Sequence, residues 1–134
     1  MSAATHNVAY SALTRRYFEH PVNAGVLHGL GVGRGEAGAV AEGTWVRFDV
    51  QVLHGIVTAA RFTAFGCPHV IAVASWITEA AAGRPGTPPL PEPVPALRLR
   101  FELPVEKLGR LLTIEDAWCA AIRAAVTNLG AALD

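Results

Sequence analysis

The sequence predicts an α+β domain: a small antiparallel three-stranded sheet with helices packed on one face, in the order α-β-β-α-β-α-α. Three observations carry this. Residues Thr44–Val52 alternate strictly, Trp45, Arg47, Asp49 and Gln51 against Val46, Phe48, Val50 and Val52, as a half-buried strand does. Leu53-His54-Gly55 then makes a tight turn into a second extended run, Ile56–Phe65, so the pair reads as a hairpin. Apolar residues at helical spacing flank the hairpin on both sides.

The first helix runs over Val8–Phe18. Val8, Leu13, Tyr17 and Phe18 are apolar, Arg15 and Arg16 lie on another face, Ser11 is a cap, and Pro21 marks the stop. His20–Gly43 is glycine-rich, lacks a period and reads as loop. After the hairpin, Gly66-Cys67-Pro68 breaks the second strand, and Pro68 suits the first turn of a helix. Val70, Ile71, Val73, Ala74, Ile77 and Ala81 give that helix its stripe, and Gly83 closes it. Arg84–Pro95 holds six prolines and reads as an extended connector. Leu97, Leu99 and Phe101 alternate with Arg98 and Arg100, which predicts the third strand. Pro104–Leu112 is a short helix or turn. The longest helix is expected over Thr113–Leu133, opened by a capping box of Thr113 and Asp116, with Trp118, Ile122, Ala125, Leu129 and Leu133 on its buried face.

The chain's 134 residues suit one domain, residues 1–134. Eleven basic residues balance eleven acidic ones, which argues against nucleic acid or an anionic membrane as partner. No stretch approaches the roughly 20 apolar residues that span a bilayer. Residues Met1–Tyr10 lack a basic segment followed by an apolar one, so the expected location is the cytoplasm. Two cysteines, Cys67 and Cys119, exclude a disulfide scaffold and an all-cysteine metal site within one chain.

Gly33-Arg34-Gly35-Glu36-Ala37-Gly38 matches G-x-G-x-x-G, but phosphate binding needs a strand before it and a helix after it. Neither is predicted, so a flexible loop is the better reading. Phe65-Gly66-Cys67-Pro68-His69 is more informative. A thiol at a strand-to-helix break faces free N–H groups and the positive end of a helix dipole, which favour the reactive, metal-binding thiolate. Cys67 and His69 are thus a candidate ligand pair, against the plainer reading of a small buried residue and an ordinary surface histidine. Cys119 reads as a packed core thiol, and His6, His20, His28 and His54 stand singly. No Ser–His–Asp or paired-carboxylate arrangement is supported by the spacing, and no enzyme is predicted.

Four blocks resemble the iron–sulfur cluster assembly scaffolds of the IscU and NifU N-terminal type. They are Ala9-Tyr10-Ser11 through Tyr17 with His20-Pro21-Val22-Asn23-Ala24-Gly25; Ala60–Cys67; Ile71–Ser75 through Thr78-Glu79 and Gly83; and Glu102-Leu103-Pro104 with Glu115-Asp116-Ala117 to Ala121-Ile122. The resemblance covers nearly the whole chain and implies the scaffold fold, a role in cluster assembly, and a 2Fe–2S cluster held by three cysteines, an aspartate and often a histidine.

Of those cysteine positions only the second is retained, as Cys67. The first falls on Glu42, the Gly-Asp pair after it on Gly43-Thr44, and the family's His-Cys pair on Gly109-Arg110. Cys119 lies nine residues beyond Arg110 and is not that ligand. Glu42 and Arg110 are expected to form an ion pair where the cluster would be, since a guanidinium neither ligates nor tolerates iron. Cys67, Glu42 and His69 are the residues left to hold iron, a 2Fe–2S cluster in altered form, or zinc; a lost site would hold none of them. The resemblance also implies a chaperone-recognition segment at Leu103-Pro104-Val105-Glu106-Lys107, and a cysteine desulfurase or other cluster-assembly proteins as partners. The functional expectation is a scaffold-like protein with a degenerate cluster site. Its rivals are a persulfide acceptor using Cys67 and a non-catalytic adaptor of the assembly machinery.

Overall fold

A computed structural model describes residues 10–133, with side chains described for residues 10–130. The elements are α1 (Ala12–Glu19), β1 (Val32–Ala39), β2 (Thr44–Leu53), β3 (Ile56–Phe65), α2 (Pro68–Ala81), α3 (Val94–Phe101) and α4 (Leu108–Leu133), with single 3₁₀ turns at Val40–Glu42 and Val105–Lys107. The three strands form one antiparallel sheet in the order β1-β2-β3. The α+β class and the three-stranded sheet of the sequence reading are present, but Pro104–Leu112, expected as an element of its own, is the 3₁₀ turn Val105–Lys107 running directly into the first turn of α4. The element order is instead α-β-β-β-α-α-α.

The hairpin is as expected. Phe48 pairs with Phe62 and Val50 with Ala60 across β2 and β3. His54 and Gly55 both have positive φ, 52° and 76°, the conformation of the tight turn that matches strand twist. Ser11 caps α1, its Oγ accepting from the Thr14 backbone N–H at 3.1 Å. Val8, placed in this helix by its pattern, lies outside the described residues.

The third strand is not Leu97–Phe101. That segment belongs to α3, with Leu97 and Phe101 fully buried and Leu99 67% exposed. Burial at i and i+4 with exposure between them is helical, not extended. Pro95 fits because the first turn of a helix has no internal partner for its N–H groups.

The third strand is β1, inside the stretch expected to be loop. Gly33, Gly35 and Ala37 pair with Val50, Phe48 and Val46 and share their face. That face meets α4 along Ala117, Ala121 and Ala125, all fully buried and spaced by four. A Cβ on Gly33 would lie 2.5 Å from the Ala121 carbonyl oxygen, and one on Gly35 2.6 Å from that of Ala117. The glycines are therefore a close backbone approach between helix and strand. The G-x-G-x-x-G match is a packing seam, not a flexible loop.

The longest helix begins at Leu108, not Thr113. Thr113 is no cap: its hydroxyl donates to the Gly109 carbonyl at 3.2 Å, inside the helix. Trp118, Ile122 and Ala125 face the core as expected, with Trp118 edge-on to Phe48 at 5.1 Å between ring centres. Leu129 is half-buried, and the Leu133 side chain lies outside the described ones. Among the described residues no helix is long and apolar enough to cross a membrane.

On the opposite face of the sheet the chain before β1 is tied down by Asp49, which is 1% exposed. Its carboxylate accepts from Arg34 Nε at 3.1 Å and Nη2 at 2.9 Å, and from the Leu27 N–H at 2.9 Å. Arg47 Nε lies 3.6 Å away. The alternation of β2 gave Asp49 a solvent-facing position; the 20–31 segment covers it. That segment is held to β3 by Gly25 N–H on the Phe62 carbonyl and Phe62 N–H on the Asn23 carbonyl.

Candidate functional site

Three chain segments converge at one end of the sheet. Cys67 is the N-cap residue of α2, where β3 stops and Pro68 opens the helix. Its carbonyl accepts from the Val70 N–H at 3.0 Å, while its side chain makes no capping bond. The break and the proline are where the sequence reading put them. Cys67 is a half-buried free thiol.

His69, the second residue of α2, is buried at 4% exposure, so it is not an ordinary surface side chain. Lys107, from the 3₁₀ turn before α4, brings its Nζ to 3.3 Å from His69 Nδ1. An ammonium has no acceptor, so Nδ1 accepts and the ring is neutral with its proton on Nε2. Burial, then the charges of Lys107 and Arg110, push the His69 pKa down to about 4. Tyr10 packs edge-on to the imidazole at 4.8 Å, beneath the Lys107 ammonium at 5.8 Å from its ring centre.

Arg110, in the first turn of α4, lines a cavity of about 280 Å³ with Glu42, Glu106, Thr44, Thr113 and Gly38. The fold thus brings Glu42 and Arg110, 68 positions apart in sequence, to one cavity. They do not form the expected ion pair. The ion pairs among the described residues are Arg15–Glu19, Arg34–Asp49, Arg47–Asp49 and Arg100–Glu92. Arg110 Nε is buried without a hydrogen-bond partner. Glu42 closes the 3₁₀ turn between β1 and β2 and is exposed.

The expected ligands are not gathered into a metal site. Among the described residues no three His, Cys, Asp or Glu side chains converge in a way that would hold a metal ion. Cys67, Glu42 and His69 are therefore no three-donor set, and the His69 Nδ1 lone pair is directed at Lys107. A permanent cation at Arg110 adds repulsion. These residues do not fit a cluster enclosed by one chain.

In the expected partner segment, Leu103 is buried at 3% exposure, Pro104, Val105 and Glu106 are exposed, and Lys107 turns inward to His69. Cys119 is half-buried, its thiol donating to the Pro88 carbonyl at 3.1 Å, and burial raises its pKa. Lys107 as the partner of His69 and Glu106 as a wall of the cavity were not foreseen. Their only sequence signal was their place just before Arg110.

Comparison with known proteins gives this end of the fold its context. A family model described as the NifU-like N-terminal domain matches residues 9–86. The protein named iron-sulfur cluster assembly scaffold protein IscU of Azotobacter vinelandii is 35% identical over 121 residues, 87% of this chain and 93% of that one. The mitochondrial iron sulfur cluster assembly protein 1 of Debaryomyces hansenii is 32% identical over 111 residues; these are 80% of this chain but only 62% of that protein, less than two thirds of its length. The crystal structure of a NifU-like N-terminal protein from Brucella abortus has a TM-score of 0.68 at 18% identity, covering 87% of this chain and 94% of that one. In sequence the chain is thus similar to proteins named for iron–sulfur cluster assembly, and in fold to a NifU-like N-terminal protein. The chain belongs to the NifU-like N-terminal domain family.

Proposed function

We propose that this chain works in iron–sulfur cluster assembly as a scaffold-like protein that acts through one thiol, Cys67, and does not enclose a cluster with its own side chains alone. One observation carries the reading: Cys67 stands at the start of α2 as the one thiol of the site among the described residues, while Arg110 lines the adjoining cavity as a cation. Sulfur acceptance suits such a thiol. The Cys67 thiolate attacks the terminal sulfur of a persulfide on a cysteine desulfurase. A sulfur–sulfur bond forms on Cys67, the donor's sulfur–sulfur bond breaks, and the donor leaves as a thiolate. Iron, zinc or a 2Fe–2S cluster is then cargo for which Cys67 supplies one ligand and a second protein the rest. The exposed part of Leu103–Lys107, mainly Val105 and Glu106, is the docking segment for cluster-assembly partners in this reading. The protein has no turnover of its own and works in the cytoplasm.

The test has two stages. Protein purified without air is analysed for iron, zinc and acid-labile sulfide; it is then incubated with a cysteine desulfurase and cysteine and its mass measured. The expected results are substoichiometric metal and sulfide on the monomer, and one added sulfur atom that maps to Cys67 and is absent from Cys67→Ser. A stable cluster reconstituted on the monomer overturns the first part, and an unmodified Cys67 overturns the second.

A further inference from the structure

The cavity at Arg110 contains charges of both signs that leave one another unneutralised. The guanidinium is charged at any physiological pH, and its Nε is buried with no protein partner. A buried donor without a partner carries an uncompensated desolvation cost, larger when the group is charged. Two carboxylates, Glu42 and Glu106, line the same space, yet neither comes within the 4.0 Å of an ion pair with Arg110. Lys107 offers no alternative counter-charge, being a cation directed at His69. The hydroxyl-bearing residues Thr44 and Thr113 complete a polar lining.

A simple anion entering this space would meet Arg110 favourably and the two glutamates unfavourably. A simple cation would meet the reverse. A small molecule with both charges satisfies both walls, and a volume of about 280 Å³ admits one. We propose that this cavity binds a free α-amino acid as its zwitterion, the carboxylate on the terminal Nη groups of Arg110, whose Nε is already enclosed by protein, and the ammonium facing Glu42 and Glu106. A planar fork matched to a carboxylate is the geometry guanidinium groups recognise best. The site is separate from the thiol chemistry of Cys67, so it stands or falls independently of sulfur acceptance.

The test follows the Nε–H signal of Arg110 in ¹H–¹⁵N spectra, assigned by its loss in Arg110→Lys, while the full chain is titrated with glycine, L-cysteine, sodium acetate or methylammonium chloride. Glycine and L-cysteine should give saturable shifts with dissociation constants of about 1–10 mM, and acetate at least about fivefold weaker binding. In Arg110→Lys, glycine binding, followed on the backbone signals of Thr44 and Thr113, should weaken by about tenfold. Glu42→Gln with Glu106→Gln should weaken glycine and strengthen acetate. Cys67→Ser should bind glycine as the parent does. Acetate binding as tightly as glycine, binding indifferent to Arg110→Lys, or no saturation by about 50 mM each overturns the proposal.

Discussion

Lys107 Nζ lies 3.3 Å from Nδ1 of His69, so one of the few buried polar side chains among the described residues has a cation as its hydrogen-bond donor. The pairing fixes the tautomer and keeps the imidazole neutral. The residue pair therefore gives this end of the sheet a local positive charge that no titration of His69 can add to at neutral pH.

The pH dependence follows from that. The unfolded chain protonates His69 near its ordinary pKa of 6.5, whereas the folded one does so only near 4. The lower folded value means that the unfolded state binds the extra proton first as pH falls. This group's contribution to stability is intact above about 6.5 and is lost progressively between 6.5 and about 4. Urea midpoints measured across that range should fall more in the parent than in His69→Gln. The imidazole carbon-bound proton shifts should show no titration of His69 above pH 5.5.

Asp49 should be among the costliest side chains to truncate. It serves two arginines and the Leu27 N–H from a position 1% exposed. Asp49→Ala leaves Arg47 half-buried without its counter-charge and loosens the 20–31 segment. The expected loss is about 3 kcal/mol or more by chemical denaturation, against under about 1 kcal/mol for the exposed pair partners Arg15→Ala or Glu19→Ala.

Helical phase in α3 can be read from two leucines. Leu97→Ala should cost about 2–5 kcal/mol because the side chain is fully buried, and Leu99→Ala should stay within about 0.5 kcal/mol. Equal losses at both positions would be the signature of a strand and would contradict the helix.

The two thiols should differ in native-state alkylation. Cys119 donates to the Pro88 carbonyl, and its pKa is raised by burial, so little thiolate is available. Iodoacetamide at neutral pH followed by peptide mass mapping should label Cys67 well before Cys119. In denaturant the two rates should converge.

The glycine positions of the seam between β1 and α4 should tolerate no side chain. Gly35→Ala drives a methyl into the Ala117–Ala121 backbone, with an expected cost of about 3 kcal/mol or more. Gly130→Ala, with open space around it, should instead gain up to about 1 kcal/mol from helix propensity. Thermal unfolding of both variants distinguishes the cases.

What could be read from residues alone was whatever has a period. The alternation of Thr44–Val52, the His54-Gly55 turn and the Cys67-Pro68 break each follow from a local rule, and each is in place. Leu97, Leu99 and Phe101 satisfy a strand template over five residues, but Leu97 and Phe101 also satisfy i, i+4, and tertiary packing chose the latter. The third strand was illegible because its core-facing residues are Gly33, Gly35 and Ala37: where a helix backbone fills the space, no apolar side chain is left to signal burial. At the site, the shared location of Glu42 and Arg110 was legible through the family resemblance. Their failure to pair was not, since a few ångströms of side-chain placement separate a lining pair from an ion pair. The inward turn of Lys107 has no local signature either.

The glycine–alanine seam has a consequence beyond its own stability. Flexible side chains at a helix–sheet contact act as springs that can absorb a shift; here backbone rests on backbone, so the contact behaves as a gauge of fixed height. The same strand runs on to Gly38 and the turn bearing Glu42, and the same helix runs back to Thr113 and Arg110. The separation of the two walls of the cavity is thus inherited from residues that never touch its contents. A single methyl group added at Gly35 would be felt there as a change of width.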